Sequence, residues 1–91
     1  MLSFETTSRY RKDIKRARKQ GVDLASLDDV ILKILSGKPL DTKYNDHALK
    51  GNYSGHRECH ITPDWLLIYA IDKGRLILTA VRTGSHSELF P

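Results

Sequence analysis

The 91-residue chain has one cysteine, Cys59, so no internal disulfide can form and the fold must rest on packing alone. A lone thiol also agrees with a reducing compartment. Apolar runs are short: the longest, Trp65 to Ile71, falls well below the roughly 20 residues that cross a bilayer. Met1-Leu2-Ser3-Phe4 lacks the layout of a signal peptide, and the expected location is the cytoplasm, with no membrane partner. No C-x-x-C occurs, and the one H-x-x-x-H spacing, His56 to His60, falls on a predicted strand, where residues four apart lie roughly 13 Å apart rather than one helical turn. Nor is there a low-complexity stretch. A hydrophobic fraction of 40% beside 29% charged residues argues against global disorder, and the length suits one domain, residues 1–91.

Charge is present but unevenly spread. The net charge is +4, yet Arg9, Arg11, Lys12, Lys15, Arg16, Arg18 and Lys19 crowd one short segment against a single acid, Asp13. The rest of the chain is therefore slightly acidic. Such a segment can follow a phosphate backbone or meet an acidic protein by long-range attraction, or simply form a solvated helix face.

Patterning places the elements. Leu2, Phe4 and Thr6 alternate as in a short half-buried strand, and Thr6, Thr7 and Ser8 are N-cap candidates. Tyr10, Ile14 and Ala17 then make a narrow helical stripe that Gly21 ends. Leu24, Leu27, Val30, Ile31, Ile34 and Leu35 form a broader stripe before Gly37 and Pro39, with a capping-box spacing at Ser26 and Asp29. Leu40 to Asn52 reads as a long loop anchored by Leu40 and Leu49. Tyr53–Ile61, Trp65–Ile71 and Leu76–Arg82 read as strands of an antiparallel meander, the middle one apolar enough to be covered on both faces. Ser85 and Glu88 frame one last helical turn. The expected fold is α+β: an N-terminal short strand and a two-helix hairpin packed on a mainly antiparallel, about four-stranded twisted sheet, with a short C-terminal helical turn.

Glu58 and His60 lie two apart on a predicted strand and share a face, whereas Cys59 points into the core as a small hydrophobe. His47 in the long loop, Asp64 in the next turn and His86 at the first position of the C-terminal helical turn could join them at one rim. His56 is left as a surface residue. Several imidazoles and carboxylates together suit acid-base chemistry, because a histidine pKa near 6.5 lets one ring accept a proton while another donates. RNA supplies its own nucleophile, the 2′-hydroxyl, so a ribonuclease needs only a base, an acid and a cation such as Arg82 gripping the phosphate. Trp65 and Phe90 are candidates to contact bases, and the seven basic residues to contact phosphates. Two other readings stay open: a zinc hydrolase using His47, His60 and His86 with Glu58 or Asp64, and a non-catalytic RNA- or ribosome-binding module built on the basic helix.

Three segments resemble one family. Asp46-His47-Ala48-Leu49-Lys50-Gly51, the stretch Gly55 to Tyr69 containing His60-Ile61-Thr62-Pro63-Asp64-Trp65, and Arg82 to Phe90 are similar to the YafQ branch of the RelE toxin superfamily. The resemblance spans nearly the whole chain. It implies a RelE-like microbial ribonuclease fold and the toxin of a type II toxin-antitoxin pair, cutting messenger RNA in the ribosomal A site without metal or cofactor. It implies a cognate antitoxin, acidic and of DinJ or RelB type, through which the complex could bind operator DNA. By motif, His47 matches the family's loop histidine, His60 and Asp64 its H-x-x-P-D-W segment, and His86 and Phe90 its C-terminal pair, with Trp65 beside them. Glu58 stands where the family typically has aspartate.

Overall fold

A computed structural model describes all residues, 1–91. The order is β1 (Ser3–Thr6), α1 (Ser8–Lys19), α2 (Leu24–Leu35), β2 (His47–Ala48), β3 (Arg57–Thr62), β4 (Trp65–Asp72), β5 (Ile77–Gly84) and α3 (His86–Leu89). The strands form one sheet ordered β1-β5-β4-β3-β2, in which only the β1–β5 pair is parallel. The sheet therefore has five strands where about four were expected. The added strand is His47–Ala48, inside the segment expected to be loop, which pairs with Glu58 and Arg57.

Local chemistry explains most boundaries. Thr7 caps α1, its hydroxyl accepting from the Tyr10 amide and donating to the Val81 carbonyl. Asp23, not the Ser26–Asp29 pair, caps α2, because its carboxylate accepts from the amides of Ala25 and Ser26. Gly21 and Gly37 follow the two helices with φ of 74° and 77°, the left-handed conformation that closes a helix cheaply only at glycine. Strand β3 starts later than Tyr53, which belongs instead to a 3-10 turn, Gly51–Tyr53.

The continuously apolar β4 is covered on both faces, as its composition requires. Trp65, Leu67 and Tyr69 join Cys59, Leu78 and Ala80 against Tyr10, Ala17, Leu27, Val30, Ile31 and Ile34 of the helices. On the other face Leu66 and Ile68 pack under Leu89, with Leu49, Tyr53, Val81 and Phe90 around them. Burial of each such side chain stabilises by about 1.5–3 kcal/mol. The second face is thus covered only by a turn and the C-terminal helix, and the polar residues bordering it are where chemistry can occur.

Strand β1 pairs with β5 only as far as Ala80. Helix α1 covers the rest of that edge, the Thr7 amide donating to the Ala80 carbonyl and Asp13 accepting from the Thr83 amide. Opposite, the register slips between the pairs Ile68–Arg82 and Tyr69–Ala80, so Val81 is a bulge. The extra residue turns Arg82 away from the face occupied by Ala80.

Candidate active site

Strand register sets the first group of side chains. His47 pairs with Glu58, Glu58 with Ile68, and Ile68 with Arg82; one row on, His60 pairs with Leu66 and Leu66 with Gly84. The Glu58 residue is only 5% exposed. Its Oε1 lies 3.3 Å from Nε2 of His47 and 3.7 Å from Nε2 of His60, so protonation of either ring completes an ion pair. Its Oε2 is buried without a hydrogen-bond partner. A buried carboxylate oxygen left unmatched costs free energy, and an incoming hydroxyl or protonated base offsets that cost.

His47 is held by what precedes it. Its Nδ1 contacts the Asn45 carbonyl at 2.7 Å, which turns Nε2 towards Glu58. Asn45 adopts a left-handed φ of 47°, tolerable for a short polar side chain. Asp46 alternates to the opposite face, where its Oδ1 accepts from the Tyr69 hydroxyl at 2.7 Å and from Arg57 Nε at 3.2 Å. Arg57 and Tyr69 are register partners on β3 and β4, so the sheet itself presents both donors. Burial, then Asp46, pushes the Tyr69 phenol well above its usual range, keeping the hydroxyl a donor. Tyr69→Phe is expected to lower stability by about 1–3 kcal/mol in urea denaturation and to reduce cleavage through a loosened His47. Wild-type stability in that variant would remove the anchor.

The second group lies on the far side of the Leu66–Ile68 surface, two strand spacings or roughly 10 Å from the first. His86 opens α3 and its ring packs on Phe90, with centroids 5.2 Å apart. The expected capping box is present: Ser85 Oγ accepts from the Glu88 amide, and Glu88 Oε1 accepts from the Ser85 amide. Glu88 Oε2 also meets Arg16 Nε at 3.0 Å. Gly84 lets this junction close, since a Cβ there would stand 3.2 Å from Arg16, Glu88 and Leu89 side-chain atoms.

The Ser85 amide, then Gln20, the Ser85 hydroxyl and Arg16, hold the Glu88 carboxyl below its ordinary 4.5. Folding therefore favours the charged form. Its contribution is complete above 4.5 and is lost as pH falls through the lower folded value. Glu88→Gln is expected to cost about 1 kcal/mol at neutral pH and to abolish the acid-side titration of α3 amide resonances. An unchanged titration would assign it to another group.

Several expected site residues lie elsewhere. Trp65 is 8% exposed and belongs to the helix-side core, so its ring cannot stack a base. Asp64 sits exposed in the β3–β4 turn, on a shallow cleft with Val22, Asp23 and Thr62, apart from Glu58. Arg82 is buried, and its Nε and Nη2 donate to Asp13 at 2.8 and 3.0 Å, so the fork expected to grip a phosphate is already taken. Arg16 is engaged by Asp13 and Glu88. Arg9, Arg11, Lys12, Lys15, Arg18 and Lys19 remain exposed along α1. Cys59 is fully buried, and burial pushes its thiol up to about 12, so it is not a thiolate nucleophile.

A chain-length family match decides the relationship: residues 2–91 fit the family described as bacterial toxin of type II toxin-antitoxin system, YafQ. The chain belongs to the YafQ toxin family. Among curated relatives, the mRNA interferase toxin YafQ of Escherichia coli is 39% identical over 89 residues, covering 96% of this chain and 94% of that one. A metal-bound toxin from Helicobacter pylori superposes with a TM-score of 0.92 at 48% identity, covering 99% of this chain and all of that one. YafQ in the E. coli DinJ-YafQ complex gives 0.91 at 33% identity, over the full length of both chains.

The Helicobacter toxin raises the question of a metal here. No group of three or more His, Cys, Asp or Glu side chains in this YafQ-family chain is placed to hold one. His47 and His60 converge on the same Glu58 oxygen at ion-pair distances.

Two features escaped the sequence reading. Asp13 is the lone acid of the basic helix, three residues from Tyr10 and four from Ala17 on the buried stripe, and that position was its only signal. Tyr53, placed in a strand by its pattern, instead reaches the second group, 5.8 Å from Phe90 in an edge-on contact.

Proposed function

We infer that this chain is an mRNA interferase, an endoribonuclease that cuts messenger RNA in the ribosomal A site and thereby inhibits translation. The supporting observation is Glu58: a buried carboxylate with two imidazoles at one oxygen and no hydrogen-bond partner at the other. His60, oriented by Glu58, takes the 2′-hydroxyl proton as the 2′-oxygen bonds to phosphorus. The bond to the 5′-oxygen breaks, and His86 or His47 protonates that oxygen. The products are a 2′,3′-cyclic phosphate and a 5′-hydroxyl. Arg82 Nη1, outside the Asp13 pair, and the exposed α1 cations meet the phosphates. Asp64 joins through movement of the β3–β4 turn on RNA binding.

These groups span two sides of an apolar surface, so the ribosome and its RNA complete the geometry. The chemistry is proposed to run on the chain's own acids and bases in the cytoplasm, without metal. Its partner is an acidic antitoxin, as the DinJ-YafQ complex suggests, covering the basic surface and carrying any operator-DNA contact. Primer extension on translating ribosomes is expected to map cuts to A-site codons, with free mRNA spared and a chelator without effect. Intact ribosome-bound mRNA would refute the enzyme reading and leave a binding module.

A further inference from the structure

Beside α3 lies a cleft of about 650 Å³ bordered by Arg9, Lys50, Asn52, Tyr53, Arg82 and Phe90. Pockets of roughly 300–1,000 Å³ accommodate small organic ligands, a nucleotide among them. Its walls differ in chemistry. Tyr53 and Phe90 form an aromatic corner, continued by His56, whose ring lies 5.8 Å from Tyr53, and by His86 against Phe90. Arg9 and Lys50 are exposed, and neither takes part in any of the six ion pairs. Asn52 is exposed at the turn that carries Tyr53, presenting an amide that both donates and accepts. Glu88 borders the cleft too, but its carboxylate is spent on Ser85, Gln20 and Arg16.

Cation, aromatic face and amide are the three contacts that single-stranded nucleic acid requires: phosphate attraction, base stacking and edge recognition. We propose that this cleft is a nucleotide subsite, holding the residue of single-stranded RNA next to the cut with its base on Tyr53 and Phe90, its edge at Asn52 and its phosphate at Arg9 and Lys50. The subsite rests on the ribonuclease reading for its place beside the cut, and it makes Tyr53 and Asn52 positioning and specificity residues. The adjoining His86 then faces the phosphate of the same nucleotide.

The test uses the full-length protein and a short single-stranded RNA made uncleavable by 2′-O-methyl groups. Tyr53 ring resonances are expected to shift on titration, Tyr53→Ala to weaken binding about tenfold, and Tyr53→Phe to stay within about twofold, as stacking requires. Arg9→Ala with Lys50→Ala is expected to lower the slope of log affinity against log salt by about 1.4. In ribosomal cleavage, Tyr53→Ala raises KM with kcat nearly kept, and Asn52→Ala evens out the preference among the four bases at that position. Wild-type binding in Tyr53→Ala overturns the subsite, as does a Phe variant as weak as the Ala one. Should Tyr53→Ala fail to fold, the exposed Asn52 and Lys50 variants decide: unchanged preference and salt slope overturn it. RNA that binds the cleft while mRNA in translating ribosomes is never cut sinks the ribonuclease reading and leaves the cleft standing.

Discussion

Replacing His60 with alanine is expected to slow RNA cleavage by about 10²–10⁴-fold, the contribution of a positioned general base. The imidazole approaches the buried Glu58 carboxylate from β3 on the sheet face that RNA would cross, so its loss removes both the proton acceptor and the partner of a buried charge. Glu58→Gln keeps the shape but removes the charge, and its loss in rate should approach that of His60→Ala. The double variant should be little slower than the worse single one, since groups acting in one proton transfer are strongly non-additive. Losses that multiply independently would separate Glu58 from the base. A fully active His60→Ala protein, shown folded by its thermal transition, would move the base to another group.

Asp13→Ala is expected to lower stability by about 3–5 kcal/mol, the cost of breaking a buried pair from one side. The Asp13 residue is 3% exposed and receives Arg82 twice, the Thr83 amide and Arg16. Without it a buried guanidinium and a strand amide lose their acceptor. A domain of this size commands only about 5–14 kcal/mol in total, so the melting point should fall by roughly 20 °C. Combined with Arg82→Met, the same change should cost much less than the sum of the two, because both charges leave together. Lys12→Ala, exposed on the same helix, should remain within about 0.5 kcal/mol. An Asp13→Ala loss no larger than that of Lys12→Ala would make the hub incidental.

Local chemistry was readable; long-range pairing was not. The Ser85–Glu88 box and the shared face of Glu58 and His60 depend on spacings of three and two residues, and both stand as expected. Cys59, opposite His60, is buried as alternation requires. Asp13 meets Arg82 across 69 positions, beyond any local pattern, so neither the carboxylate's structural role nor the engagement of two of the arginine's nitrogens was legible in the sequence. His47–Ala48 is too short for period-two alternation to register, and its strand exists only because β3 offers an edge. Trp65 opens a continuously apolar strand, where alternation cannot tell core from site. The acid-base set was visible as a residue inventory, whereas its link to RNA came from family resemblance.

The parallel pairing of Ser3–Thr6 with Ile77–Ala80 joins the two ends of the polypeptide. Closing so long a loop precedes any reward from the contacts it makes, which places this step late in folding. A nascent chain that has not yet reached Ile77 leaves β1 without its neighbour and Asp13 without Arg82. His86 follows later still. Synthesis from the N-terminus therefore delivers the histidines in order, His47 first and His86 last, so the two groups flanking the Leu66–Ile68 surface cannot stand together until α3 has followed β5.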